Sequence, residues 1–148
     1  MTKLAEFLAT WCYCGKFPKA PGTAGALGGL LVAWMVPVSP WVLSGLFLVP
    51  GIWAAGVHAK ATQRKDPQDV VIDEVLGQWI VLAAAVHTRT WQAWLLAFVL
   101  FRLFDIYKPW PIRQVEALPR GYGIVLDDVV AGLFGAVVMQ IAGWNNLY

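Results

Sequence analysis

The sequence predicts an all-α fold, an integral membrane bundle of about four to five short hydrophobic helices with a polar site at its cytoplasmic face. Three observations support this prediction. Of the 148 residues, 59% are hydrophobic and 14% are charged, whereas soluble domains carry about 25% charged residues. The mean hydropathy is +0.60 and the chain contains nine tryptophans. The apolar residues are also gathered in five runs, and together these features exclude a disordered chain and an ordinary water-soluble domain.

The length predicts one domain, residues 1–148, because 148 residues are too few for two ordinary domains. The net charge of +2 is too small to attract a polyanion over a long distance, so we expect no nucleic-acid partner. The expected surroundings are a lipid bilayer.

Five apolar runs define the predicted helices in chain order. Crossing a hydrocarbon core takes roughly 20 helical residues, and every run is shorter than that. We therefore expect the helices to recruit flanking residues or to lie partly below the membrane surface. The runs are 24–36, 41–57, 75–86, 91–101 and 129–144.

Basic residues predict the orientation of these helices. Ten of the eleven Lys and Arg residues lie at the N-terminus, in the 58–74 loop or in the region 102–126, and only Arg89 falls on the other side. Because cytoplasmic loops of membrane proteins carry an excess of Lys and Arg, these three regions are expected to face the cytoplasm.

Five of the nine acidic residues lie at the cytoplasmic ends of apolar runs. Asp73 and Glu74 open the third run, Asp105 lies just inside an extended fourth run, and Asp127 and Asp128 open the fifth. Acids at this depth are costly unless they are paired or hydrated, so they are functional-site candidates. Helix capping is the alternative, but two adjacent acids at two separate starts exceed what a cap needs. Hard oxygen ligands with no His or Cys nearby favour magnesium.

Two further segments carry features that suit phosphate binding. Arg102, Asp105 and Lys108 are spaced by three and share one side of a helix, where they can form either ion pairs or a phosphate site. In the segment 19–25, Thr23 can cap the following helix, and a helix N-terminus can bind an anion. Taken alone, this segment favours a plain helix start over a phosphate site.

Four blocks together resemble the phosphatidylglycerophosphatase A family of bacterial membrane lipid phosphatases. The resemblance implies a magnesium-dependent enzyme of the bacterial inner membrane that hydrolyses phosphatidylglycerophosphate to phosphatidylglycerol and inorganic phosphate during phospholipid biosynthesis. It also implies an all-helical fold. The blocks are KAPGTAGAL at 19–27, DPQDVVIDEVLG at 66–77, FRLFDIYKPWPI at 101–112 and GYGIVLDDVVAG at 121–132.

The residues in these blocks receive hypothetical roles. The nucleophile remains open between a water activated by magnesium and an aspartate that becomes phosphorylated. Histidine catalysis is disfavoured because His58 and His87 are expected on opposite sides of the membrane. The expected metal ligands are Asp73, Glu74, Asp105, Asp127 and Asp128; the expected catalytic residues are Asp73, Asp105 and Asp128; and the expected substrate-binding residues are Lys19, Pro21, Gly22, Thr23, Arg102 and Lys108.

Two other functions are compatible with clustered acids in a membrane protein. A phospholipid headgroup transferase would use magnesium and a nucleotide-activated lipid. A small magnesium channel or carrier would place acids deep in the bilayer or on both faces, whereas the predicted topology gathers them on one face.

Overall fold

The computed structural model describes residues 3–85, 90–145 and 147–148, and all the regular structure in these parts of the chain is helical. The predicted all-α fold is therefore confirmed. A single 3-10 turn, Cys14–Lys16, lies between the first two helices. The helices are α1 (Lys3–Ala9), α2 (Pro21–Met35), α3 (Pro40–Thr62), α4 (Ile72–Ala83), α5 (Trp91–Tyr107), α6 (Ile112–Glu116) and α7 (Gly121–Trp144).

Helices α2, α3, α4, α5 and α7 each contain most of one apolar run. Residue 86, the end of the third run, lies outside the described residues. The runs recruit flanking residues, as expected, so that α3 reaches 23 residues and α7 reaches 24. By length and composition, α3 and α7 could each cross a membrane, whereas α2 is apolar but shorter. Both α2 and α3 begin at a proline, whose fixed φ and missing N–H suit the first position of a helix.

Helix α4 forms the centre of the bundle. Eleven of its 12 residues are buried, and it packs against α2, α3, α5 and α7. A helix that is apolar on nearly all sides can be stable only where other helices surround it. The central position of α4 brings its first turn, with Asp73 and Glu74, into contact with the other helices that carry polar residues.

Two glycines set the close approach of α4 and α7. A Cβ added to Gly132 would lie 2.7 Å from the carbonyl oxygen of Gly77 and 3.0 Å from its Cα. Gly77 follows Asp73 by four residues, and Gly132 follows Asp128 by four, so each glycine lies one turn below a carboxylate on the same helix face. The glycine contact therefore holds the two carboxylates near each other.

The prediction that Asp127 and Asp128 open the last helix is wrong. Helix α7 begins at Gly121, so both acids lie in its second turn. The added turn is stable because Gly121 and Gly123 allow close backbone contacts that a side chain would block: Gly121 packs on the carbonyl of Ile52 and Gly123 on that of Leu118. Buried Ile124 and Val125 then extend the apolar core.

The expected capping role of Thr23 is also wrong. Helix α2 begins two residues earlier, at Pro21, and its N-cap residue is Ala20, which cannot cap through its side chain. Thr23 therefore lies within the first turn of the helix. The proline at the first helical position determines this earlier start.

Candidate active site

A cavity of about 400 Å³ gathers most of the polar residues singled out in the sequence. It lies where the first turns of α2 and α4, the end of α5 and the second turn of α7 meet. Three helix ends and one helix interior therefore supply its walls. The predicted site residues that line it are Pro21, Gly22, Asp73, Glu74, Arg102, Asp105, Lys108, Asp127 and Asp128.

Three carboxylates form the innermost group of this cavity, which we call the carboxylate trio: Asp73, Glu74 and Asp128. Each offers an oxygen atom, and these atoms all lie within 4.8 Å of one another. Asp73 and Asp128 are buried, and Glu74 Oε2 is buried with no hydrogen-bond partner among the described residues. Three clustered carboxylates repel one another, and protonation or a shared cation relieves this repulsion. Oxygen ligands of this type suit Mg²⁺.

Helix capping does not account for the trio. The N-cap residue of α4 is Val71 and that of α7 is Arg120, and neither makes a capping hydrogen bond through its side chain in this described part of the chain. The Asp73 carboxylate accepts a hydrogen bond from its neighbour, the N–H of Glu74, at 3.1 Å. Capping therefore explains one member of the trio at most: Asp73 accepts a first-turn N–H of α4, whereas Asp128 lies beyond the first turn of α7.

Two ion pairs flank the trio. Arg102 Nη1 donates to Asp105 Oδ2 at 2.6 Å, and Lys108 Nζ donates to Asp127 Oδ2 at 2.7 Å. Lys108 also lies 3.5 Å from Glu116 Oε1. Burial alone would lower the pKa of Lys108, but its hydrogen bond with Asp127 and the surrounding carboxylates raise that pKa above its ordinary value, so the ammonium stays charged.

The pairing separates the five acids predicted as metal ligands into two groups. Asp73, Glu74 and Asp128 come together, whereas Asp105 and Asp127 are each bonded to a cation at the wall of the same cavity. Asp127 and Asp128 are adjacent in sequence but about 100° apart around the helix, which is why they face different partners.

The first turn of α2 closes one side of the cavity. A Cβ added to Gly22 would overlap Glu74 Oε1 and lie 3.2 Å from Arg102 Nη1, so a glycine is needed for this close approach. Since the first N–H groups of a helix have no partner within the helix, the start of α2 can offer them to an anion. Among the predicted substrate-binding residues, Lys19 and Thr23 lie outside the cavity lining.

Four charged cavity residues were not predicted as site residues: Lys65, Asp66, Glu116 and Arg120. Asp66 stands in one of the four sequence blocks, and the other three lie outside them. All four belong to loops or to the short helix α6, where no apolar periodicity marks their position. In the sequence, the charges of Lys65 and Arg120 indicate only membrane orientation, and Asp66 is marked only by its place in a block.

His58 lies apart from this cavity. Its side chain is buried, and Nε2 lies 3.0 Å from Asp69 Oδ2. The pair links α3 to the loop that precedes α4. His87, the other histidine considered from the sequence, lies outside the described residues.

Comparisons with known proteins match the chain to one family. The sequence profile described as phosphatidylglycerophosphatase A matches residues 7–143. The chain is 37% identical over 144 residues to phosphatidylglycerophosphatase A of Escherichia coli strain K12, covering 93% of this chain and 83% of that protein. It is 37% identical over 147 residues to the Haemophilus influenzae protein of the same name, covering 90% and 85%.

A third relative carries a different name. A Bacteroides thetaiotaomicron protein, provisionally named phosphatidylinositol-3-phosphatase, is 37% identical over 151 residues, covering 95% of this chain and 94% of that protein. No solved structure shows significant similarity to the chain.

Proposed function

Since this chain belongs to the phosphatidylglycerophosphatase A family, we propose that it hydrolyses phosphatidylglycerophosphate to phosphatidylglycerol and inorganic phosphate with the help of Mg²⁺. It is a phosphoric monoester hydrolase, as the names of two relatives indicate. The magnesium dependence and the place in phospholipid biosynthesis are parts of the proposal.

One observation carries the proposal: a single cavity contains the carboxylate trio, the cationic side chains of Arg102 and Lys108, and the start of a helix. A phosphomonoester is dianionic near neutral pH, so both its bound state and its leaving oxygen need positive charge or hydrogen-bond donors around them. The two kinds of group required, ligands for a cation and donors for a phosphate, face each other across this cavity.

The donor set fits a divalent cation. Asp73, Glu74 and Asp128 would hold Mg²⁺, since the unpartnered Oε2 of Glu74 and the mutual repulsion of three buried carboxylates both favour a shared cation. When bound, Mg²⁺ would neutralise phosphate charge and lower the pKa of water. The protein contributes the fixed positions of these three oxygens.

The cationic groups and the start of α2 would bind the phosphate. Arg102 and Lys108 are held at the cavity by ion pairs with Asp105 and Asp127. Because these side chains are already ordered, they would lose little conformational entropy when phosphate binds. The first N–H groups of α2, around Gly22, would add neutral donors. Asp105 is the proposed general base, and the choice between water and an aspartate as nucleophile is left to experiment.

We place the protein in the bacterial inner membrane with the cavity at the cytoplasmic face. The two long apolar helices support a membrane location, and the excess of basic residues in the regions around the cavity supports the orientation. In this arrangement, the phosphate of a lipid in the inner leaflet lies at the depth of the cavity mouth.

A phosphate-release assay in detergent micelles tests the proposal. The substrates are phosphatidylglycerophosphate, phosphatidylinositol 3-phosphate and phosphatidic acid, each measured with Mg²⁺, with a chelator, and with the chelator followed by excess Mg²⁺. We expect release from phosphatidylglycerophosphate that the chelator abolishes and added Mg²⁺ restores. Turnover that persists in the chelator would remove the metal from the proposal, and release only from the inositol lipid would favour the activity named for the Bacteroides relative.

The same assay separates the two alternative functions. A headgroup transferase would need a nucleotide-activated lipid, so phosphate release without any nucleotide argues against it. A magnesium channel or carrier would release no phosphate from any of the three lipids and would instead move Mg²⁺ into sealed vesicles.

A further inference from the structure

A second cavity adjoins the candidate active site, beside helices α3 and α7. It is a groove of about 790 Å³, which we call the basic groove. Lys65 and Arg120 line both the groove and the active-site cavity, so the two spaces meet at these side chains. The reaction proposed above makes no use of the groove.

One part of the basic groove is apolar. It is lined by Val49, Ile52, Trp53 and Val57 of α3 and by Tyr122 of α7. Val49 is 73% exposed and Trp53 is 45% exposed. Both belong to α3, one of the two helices apolar enough to cross a membrane. Exposed apolar side chains on such a helix are suited to contact with acyl chains.

The other part of the groove is positively charged. It is lined by Lys60, Arg64, Lys65 and Arg120, and its described lining contains no acidic residue. None of the four forms an ion pair within the described parts of the chain, whereas Arg102 and Lys108 in the neighbouring cavity are both paired. Unpaired cations beside an apolar surface match an anionic phospholipid, whose phosphate lies next to its acyl chains.

Arg120 is held at the junction of the two cavities by an unusual backbone. Its φ is 58° and its ψ is −144°, a region that residues other than glycine rarely adopt. The crossing of α3 and α7 sustains this conformation, because Gly56 and Gly121 bring the two backbones so close that a Cβ on Gly56 would lie 3.2 Å from the nitrogen of Gly121. The fold thus directs a cation to the point where the groove opens into the active site.

We propose that the basic groove binds the phosphatidyl part of the substrate lipid, with Arg120 and Lys65 contacting its phosphodiester while the terminal phosphomonoester lies near the carboxylate trio. This inference rests on the proposed function. It defines the substrate class as diacyl lipids in which a polyol separates the phosphodiester from the phosphomonoester. Phosphatidylglycerophosphate and phosphatidylinositol 3-phosphate both belong to this class, whereas phosphatidic acid has no second phosphate for Arg120 and Lys65.

The test uses phosphatidylglycerol, which carries the phosphodiester and acyl chains without the monoester, and inorganic phosphate, which resembles the monoester alone. The variants are the double substitution Lys65→Gln/Arg120→Gln, the charge-preserving Arg120→Lys, and Arg113→Gln as a control for the loss of an exposed cation outside both cavities. Binding of phosphatidylglycerol is measured directly in zwitterionic micelles, and both compounds are tested as inhibitors of phosphatidylglycerophosphate hydrolysis.

We expect phosphatidylglycerol to be a competitive inhibitor that the double variant binds about tenfold more weakly, the change produced by about 1.4 kcal/mol. Inhibition by inorganic phosphate should stay the same, and Arg120→Lys and Arg113→Gln should bind phosphatidylglycerol nearly as the wild type does. The double variant should slow the hydrolysis of phosphatidic acid less than that of phosphatidylglycerophosphate.

Three results would overturn the proposal: equal affinity of the wild type and the double variant for phosphatidylglycerol, an equal loss in Arg113→Gln, or non-competitive inhibition, which would indicate a separate lipid bound beside the enzyme. Failure of the proposed function is distinguishable from these results. If the wild type releases no phosphate, the direct binding measurement still shows whether the groove recognises a phosphatidyl group.

Discussion

The two halves of the α4–α7 pair use the same helix contact for opposite purposes. In the half beyond Gly77 and Gly132, small residues let the backbones approach, and apolar side chains such as Val81, packed against Gly135, fill the remaining space. In the half that begins with Asp73 and Asp128, the same approach brings carboxylates together. Dense packing stabilises the first half, whereas electrostatic repulsion between the carboxylates destabilises the second.

This difference shows that the geometry of the site depends on how α4 and α7 pack in the apolar half. Asp73 and Asp128 belong to different helices, so their separation depends on how closely the helices approach one turn away, at Gly77 and Gly132. Rigid elements hold site residues more accurately than loops do. A change in the apolar half should therefore be felt in the polar half, whereas a change in one carboxylate should leave the apolar half intact.

The largest expected effect comes from removing a member of the carboxylate trio. Asp128→Asn should lower phosphate release by about a thousandfold or more, since it removes a charge proposed to hold the cation. Stability should be equal or higher, because one of three mutually repelling carboxylates is neutralised. Initial rates at saturating Mg²⁺ and thermal unfolding in detergent measure the two quantities.

The neighbouring residue provides the control. Asp127 is bonded to Lys108 instead of facing the trio, so Asp127→Asn should lower turnover by a smaller factor, about tenfold, through the lost charge-assisted hydrogen bond. Equal losses in the two variants would contradict the division of the acids into trio and ion pairs.

Much of the fold could be predicted from the sequence because apolar runs are a direct signal of helices in a membrane protein. The five runs correspond to α2, α3, α4, α5 and α7. The central position of α4 could not be predicted, since periodicity describes one helix and not its neighbours. The start of α7 was missed because Gly121 and Gly123 are poor helix formers in isolation and are stabilised here by contacts with Ile52 and Leu118.

The site was less accessible to sequence reasoning than the fold. The residues near the cavity could be found because acids are rare in apolar surroundings, but their partners depend on side-chain directions between helices. Asp127 and Asp128 look equivalent in the sequence, yet only one joins the trio. Lys65 and Arg120 resembled ordinary cytoplasmic charges until the fold placed them at the junction of two cavities.

The second prediction tests whether the apolar half positions the polar half. In Gly132→Ala, the new Cβ meets the backbone of Gly77, so the helices must separate. We expect a loss of about 1–3 kcal/mol in the free energy of unfolding, typical of overpacking, together with a lower kcat in the protein that remains folded.

Gly45→Ala is the matched control, because a Cβ there meets nothing within 4 Å and the residue also lies within a long helix, α3. Since alanine favours helix over glycine by about 0.8–1.0 kcal/mol, this variant should be fully active and at least as stable as the wild type. Gly132→Ala with unchanged kcat and stability would show that the site does not depend on this contact.

A smaller and more selective effect is expected for Gly22→Ala. Its Cβ would overlap Glu74 Oε1, and a flexible side chain can move where a backbone cannot, so stability should change little. The displaced Glu74 carboxylate should weaken Mg²⁺ binding by about tenfold, in the range found for changes around metal ligands. A titration of activity against Mg²⁺ should shift to higher concentration and reach nearly the wild-type rate at saturation.

The smallest effect on turnover is expected for His58→Ala. His58 lies outside the cavity and bonds Asp69, so its removal should lower stability by about 1–3 kcal/mol, the usual cost of losing a buried polar contact and its packing, while kcat in the folded protein changes little. Asp69→Ala should reproduce part of the stability loss, because it removes the same hydrogen bond from the exposed side. Thermal unfolding and initial rates on one preparation separate the two effects. A folded His58→Ala protein without turnover would place histidine in the reaction. The reactive end of the bundle would then include His58 of α3 as well as the residues that line the cavity.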